Sequence, residues 1–105
     1  MRVGNAAAFL VLLAAAPAQA GNVHTIVQVD RSFRPGEITI SAGDSLAFSN
    51  HDPFLHQIYV DSDRIDYDSA EQPPGQIITI AFPKTGDFPV RCHIHPKMLL
   101  TVHVK

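Results

Sequence analysis

The sequence predicts an all-β protein, a two-sheet Greek-key β-sandwich of about seven strands. Three observations lead there. Beyond residue 20 the chain is dense in β-branched residues. Turn signals interrupt it about every eight to twelve residues, as in sandwiches and barrels. Apolar residues alternate with polar ones at a period of two, and no segment sustains the 3.6 period of a helix.

The expected strands are His24 to Val29, Glu37 to Ile40, Ser45 to Ser49, His56 to Asp61, Gln76 to Phe82, Phe88 to Cys92 and Leu99 to Val104. Alternation is clearest at Ile38 and Ile40, at Leu46 and Phe48, at Ile58 and Val60, and at Ile78, Ile80 and Phe82. It continues at Phe88 and Val90 and at Leu100, Val102 and Val104, so each strand has one face built for burial. The breaks "RPGE", "SAGD", "HDPF", "QPPG" and "KTGD" supply Gly for turn conformations and Pro to end ladder pairing. Two sheets must bury these apolar faces on one another. The stretch Asp61 to Gly75 fits least well. It is acidic, ends in Pro73-Pro74-Gly75, and reads as a surface loop with at most one helical turn.

Residues 1–20, "MRVGNAAAFLVLLAAAPAQA", read as a cleaved signal peptide: Arg2, an apolar run from Ala6 to Ala16, and Ala18-Gln19-Ala20 as a small-x-small cleavage site. The run is shorter than the roughly 18 to 20 residues that span a bilayer. The reading implies an exported, periplasmic protein, one domain of residues 21–105, with no membrane association after cleavage, acting as a monomer. Loss of Arg2 takes the formal charge of −2 to about −3, which argues against a phosphate-binding surface and against nucleic acid as partner. The charge is uneven. Asp61, Asp63, Asp66, Asp68 and Glu71 cluster, whereas Lys84 to Lys105 is net basic.

The stretch "CHIHPKM", Cys92 to Met98, holds the one cysteine of the chain, two histidines and a methionine. A lone thiol in an exported chain is an intermolecular bridge, an idle thiol or a metal ligand. A sharp turn encouraged by Pro96 lets Cys92 converge with an imidazole three residues on, and Met98 can close the loop from another side. Thiolate, imidazole and a weak thioether suit a copper ion held as trigonal His₂Cys with a long axial Met. A second histidine is needed from elsewhere, and "SNHDPFLHQIYVD" offers two; His56, at a strand edge, is better supported than His51 in the loop.

The chain resembles the cupredoxins, small blue copper proteins, in the plastocyanin and amicyanin branch and of the type associated with methylamine utilisation. The residues that carry the resemblance are "F-x-P-x-x-I-T-I-x-A-G-D" from Phe33 to Asp44, "N-x-x-x-F-x-H" from Asn50 to His56, and "G-x-F-x-V-x-C-x-x-H-P-x-M" from Gly86 to Met98. The resemblance implies one copper cycling between Cu(I) and Cu(II), with His56, Cys92 and His95 as ligands, Met98 as axial thioether and the Leu55 carbonyl on the opposite axis. It also implies one-electron transfer between periplasmic partners rather than catalysis. A c-type cytochrome or dehydrogenase would dock near Pro53, Phe54, Leu55, Pro96 and Lys97. The chain departs from the family at Gln57, where Asn often ties the two ligand loops together, and at His93 and Ile94.

Other readings compete. The same ligands would serve periplasmic copper buffering, delivery or tolerance, and a metal-free sandwich would serve as a binding module. Met98 also reads as core filler. His93 falls on the opposite parity to Cys92 and reads as solvated rather than as a second metal site with His51. His24 and His103 carry no signal. The acidic stretch reads as a solvated loop, or in an electron carrier as a surface steering a basic partner.

Overall fold

The computed structural model describes residues 21–105; the expected leader, residues 1–20, lies outside the described residues. The strands are β1 (Val23–Val29), β2 (Ser32–Arg34), β3 (Glu37–Ile40), β4 (Ser45–Asn50), β5 (Ile58–Val60), β6 (Ile77–Ala81), β7 (Gly86–Cys92) and β8 (Leu99–Val104). They form two four-stranded sheets, ordered β2-β1-β4-β6 and β3-β8-β7-β5. Both are mixed, because β1 runs parallel to β4 and β3 parallel to β8. No helix among the described residues is long and apolar enough to cross a membrane.

Seven strands match the expected ones within a few residues, and β2 is an addition. It pairs with β1 through a two-residue loop, Asp30-Arg31, closed by the Val29↔Ser32 pair. Both loop residues have positive φ, 53° and 54°, which matches the twist of a tight hairpin. Neither is Gly or Asn, so the usual hairpin signal is missing from the sequence. The Asp61–Gly75 stretch contains no helical turn. It lies along β5 through isolated bridges at Tyr59↔Asp68 and His56↔Gln72, while Ile65 and Tyr67 pack on the core. The segment is therefore a cover for the β5 edge with its carboxylates facing out, more than a solvated loop.

The core is built by parity. Ile26, Leu46, Phe48 and Ile80 point inward from the first sheet, and Ile40, Ile58, Val60, Phe88, Val90, Leu100, Val102 and Val104 from the second. Phe33 meets Phe48 edge-on at 5.8 Å, and Phe82 lies against Phe88 at 6.1 Å, spacings at which aromatic pairs attract beyond their buried area. Toward one end of the sandwich these inward files stop being hydrocarbon. β1 and β4, in parallel register at Gln28↔Asn50, place two buried amides there. In the other sheet the files continue through β5 to His56, through β7 to Cys92 and through β8 to Met98, all buried.

On the outer face His103 of β8 bridges its neighbours, with Nδ1 2.6 Å from Asp87 of β7 and Nε2 2.5 Å from Glu37 of β3. Asp87 first, then Glu37, raises the imidazole above its ordinary value. A raised folded-state pKa makes this contribution to stability complete below the unfolded value of about 6.5, and lost as pH rises through the folded value. His103→Gln is therefore expected to lower the thermal midpoint at pH 5.5, with the difference from wild type shrinking by pH 9. A difference independent of pH in scanning calorimetry would contradict the linkage.

Candidate metal centre

At the polar end of the sandwich three donor atoms converge. The thiol sulfur of Cys92 lies 3.6 Å from Nδ1 of His56 and 3.8 Å from Nδ1 of His95. All three atoms lie within 4.8 Å of one another, and no other such group of His, Cys, Asp and Glu occurs among the described residues. A first-row ion with nitrogen at ~2.0 Å and sulfur at ~2.3 Å in a trigonal plane sets nitrogen and sulfur roughly 3.8 Å apart. The spacing and donor chemistry fit a soft-to-borderline ion such as copper. Met98 is buried on the same wall as His95, and its amide donates to the His95 carbonyl at 2.9 Å, closing the turn over Pro96 and Lys97.

Each donor is held by a different element. Cys92 ends β7, opposite Ile58 of β5. His56, two residues before Ile58, exchanges backbone hydrogen bonds with Gln72, donating at 3.1 Å and accepting at 2.7 Å. Gln72 is itself buried, and its side chain accepts from Gln28 Nε2 at 2.8 Å and donates to the Phe48 and Gln76 carbonyls at 3.0 and 2.7 Å. Asn50 clamps the preceding loop, donating to the Phe54 and Gln72 carbonyls and accepting from the Asp52 amide, each at 2.9 Å. Packing these amides inside is tolerable because nearly all of their polar atoms are bonded; among the described residues only Gln28 Oε1 is a buried side-chain polar atom without a partner.

The orientation of His56 depends on Asp52, whose carboxylate accepts from the ring at Nε2 at 2.8 Å. A carboxylate only accepts, so Nε2 carries the proton and Nδ1 is the ring atom turned toward Cys92. Asp52 also accepts from the backbone amides of Asp30 and Arg31 at 2.7 and 3.1 Å. Burial alone would raise its pKa, but the donors from Arg31, His56 and Asp30 outweigh it and hold the carboxyl below its ordinary value. The unusual β1–β2 turn thus presents two N–H groups to the anion that aims His56. Sequence reasoning missed this role of Asp52, Gln72 and Gln28, since buried polar residues leave no periodic signal.

Gln57 takes over by its backbone the tie expected from an Asn side chain. Its amide donates to Cys92 Sγ at 3.3 Å and its carbonyl accepts from the His93 amide at 2.9 Å, while the side chain turns away to the Ser69 carbonyl. His93 points outward, stacked on Tyr59 with ring centroids 4.0 Å apart and bonded to Asp68 at 3.0 Å. His51 is exposed on its loop, and His24 bonds Asp44 at 2.9 Å, so neither joins the cluster.

His95 is the half-buried member and faces the solvent end. Phe54 packs against both imidazoles, 5.5 Å from His56 and 5.1 Å from His95, which themselves lie 5.0 Å apart, and the Arg31 guanidinium lies 4.6 Å over the Phe54 ring. Burial first, then the nearby His56 and Arg31, holds the His95 imidazole below its ordinary pKa, which favours the neutral form with a free lone pair.

Comparison with known proteins agrees with this architecture. A model of the cupredoxin-like domain matches residues 3–102. The chloroplastic plastocyanin of Tetradesmus obliquus is 31% identical over 72 residues, 60% of this chain and 50% of that protein, so the chain spans about half the length of this relative. Among solved structures, an amicyanin variant in its Cu(I) form superposes with a TM-score of 0.75 at 17% identity over 83% of this chain and 86% of that one. A purple cupredoxin from Nitrosopumilus maritimus gives 0.69 at 18% identity over 78% and 99% of the two chains. A copper-containing nitrite reductase from Thermus scotoductus gives 0.73 at 26% identity, covering 90% of this chain but 25% of that one.

The role of Asp52 is testable without metal. Asp52→Ala leaves the Asp30, Arg31 and His56 donors without their shared acceptor and is expected to lower the unfolding free energy by about 2–4 kcal/mol. Asp52→Asn, which keeps a carbonyl oxygen, is expected to cost less. Urea denaturation gives the energies, and loss of a slowly exchanging His56 Nε2–H signal in the NMR spectrum reports the freed ring.

Proposed function

The chain belongs to the cupredoxin-like family, and from that premise we propose that it is an exported carrier of single electrons, with one copper that His56, Cys92, His95 and Met98 would hold. The observation that carries the reading is the approach of both Nδ1 atoms to the Cys92 sulfur from a buried, cross-braced frame. Copper, when bound, supplies a one-electron Cu(II)/Cu(I) couple with strong thiolate covalency.

The protein's own residues do the rest. Gln57 N–H and the core around Cys92 keep the sulfur dry and fixed. Asp52 fixes the His56 tautomer and ring plane. The Met98–His95 turn fixes the fourth donor against the third. A donor cage held this firmly moves little between oxidation states, which suits rapid electron exchange. Four side-chain donors leave no coordination place for a substrate, and this supports a carrier over a catalyst despite the likeness to a nitrite reductase.

The His95 edge, beside Phe54, Leu55 and Leu99, is the electron port in this reading. A redox protein such as a c-type cytochrome or dehydrogenase docks there, near Pro53, Phe54, Leu55 and Pro96. The leader-like residues 1–20 support a periplasmic setting. Protein-film voltammetry of the copper-loaded chain should give a reversible one-electron wave, with Cu(I) retained against excess bicinchoninate. Rapid loss of Cu(I) to that chelator together with slow electron exchange would instead assign the site to copper buffering or delivery.

A further inference from the structure

The end of the molecule around His95 carries charge of one sign. Arg31 and Lys97, both exposed, line a shallow opening of about 460 Å³ together with Ile94, His95, Pro96 and Met98. Ile94 in this lining is 41% exposed, which is high for a large apolar side chain, and Leu55, between Phe54 and His56 in the chain, is 37% exposed. The carboxylates close to this end are already engaged. Asp52 is buried under three donors, and Asp30 is bonded to Arg34 at 3.2 Å.

Arg31 is also fixed in place. Its positive-φ turn is anchored by amide bonds to Asp52, and its guanidinium rests on Phe54 at 4.6 Å, a cation–π contact that leaves little side-chain freedom to lose on binding. The acidic residues lie elsewhere, along the β5 flank. There Asp61 meets Arg91 and Asp68 meets His93, and Asp63, Asp66 and Glu71 are exposed. The molecule is therefore polarised, with a cationic, apolar tip at the imidazole and an anionic side.

Resting on the electron-carrier reading, we propose that the His95 tip docks a redox protein whose electron-exchange face is apolar at its centre and ringed by carboxylates, with Arg31 and Lys97 as the selecting cations. Such a partner is drawn to the tip and repelled by the flank, so the charges orient it with its redox group against His95. The acidic stretch then acts against misdocking, and the basic partner it suggested in the sequence gives way to an acidic one.

The test uses small redox-inert ions as probes on the Cu(I)-loaded mature chain. Hexacyanochromate(III), a paramagnetic anion, should broaden the amide signals of Arg31, Ile94, Lys97 and Met98, while hexaamminechromium(III) broadens those of the Asp61–Glu71 stretch. In the double variant Arg31→Gln, Lys97→Gln the anion effect at the tip should vanish. Oxidation of the Cu(I) protein by hexacyanoferrate(III) at low ionic strength should slow by roughly tenfold, with a flatter salt dependence. Anion broadening centred elsewhere, or unchanged in the double variant, would overturn the proposal. The optical spectrum of the oxidised protein, read on the same samples, separates this outcome from failure of the copper reading, since only the latter abolishes the thiolate absorption.

Discussion

Everything at the polar end depends on strand parity. In a β-strand, alternate side chains face the same way, so a residue two places beyond a core position inherits its direction. Ile58 and Val60 aim inward, and so does His56; Phe88 and Val90 aim inward, and so does Cys92. Leu100, Val102 and Val104 do the same for Met98. Because β8, β7 and β5 are neighbours in one sheet, Met98, Cys92 and His56, which end or immediately precede these strands, arrive at one end. The hydrophobic core is what holds them there. A slip of one residue in β7 would exchange Cys92 for His93 or Arg91 and bury a charge among hydrocarbons.

That constraint explains which features could be read from sequence. The alternation at Phe88 and Val90 and at Leu100 to Val104 is visible in one dimension, and it predicts seven of the eight strands as well as the outward direction of His93. The four donor candidates were visible because sulfur and imidazole at short spacing, in a chain whose sequence reads as exported, have few uses. The polar frame behind them was not visible. Gln28, Gln72 and Asn50 are buried by long-range pairing between segments more than twenty residues apart, and their meaning lies in which amide meets which carbonyl. Asp52 looked like a turn residue next to Pro53. Its role emerges only when the Asp30-Arg31 hairpin turns its amides toward it. That hairpin lacked the Gly or Asn that normally marks positive φ.

Gln57 shows how one geometry survives a changed residue. The loss of an Asn side chain at this position suggested a loosened pair of ligand loops. The backbone of Gln57 instead reaches both Cys92 and the start of the next loop, so the brace depends on the strand pairing of β5 with β7 more than on a particular side chain. The same economy runs through the site: the turn that supplies two N–H groups to Asp52 also places a cation over Phe54 and beside His95. Structure at the ligand and charge at the surface are consequences of one hairpin.

The central claim is that Cys92 is a metal-bound thiolate at the focus of two imidazoles. Titration of metal-free residues 21–105 with Cu(II), followed by visible absorption, tests it most directly. The account predicts an intense sulfur-to-copper charge-transfer band that saturates at one equivalent and is absent from Cys92→Ala. A chain that takes up no copper, or one whose spectrum is indifferent to Cys92, would contradict it.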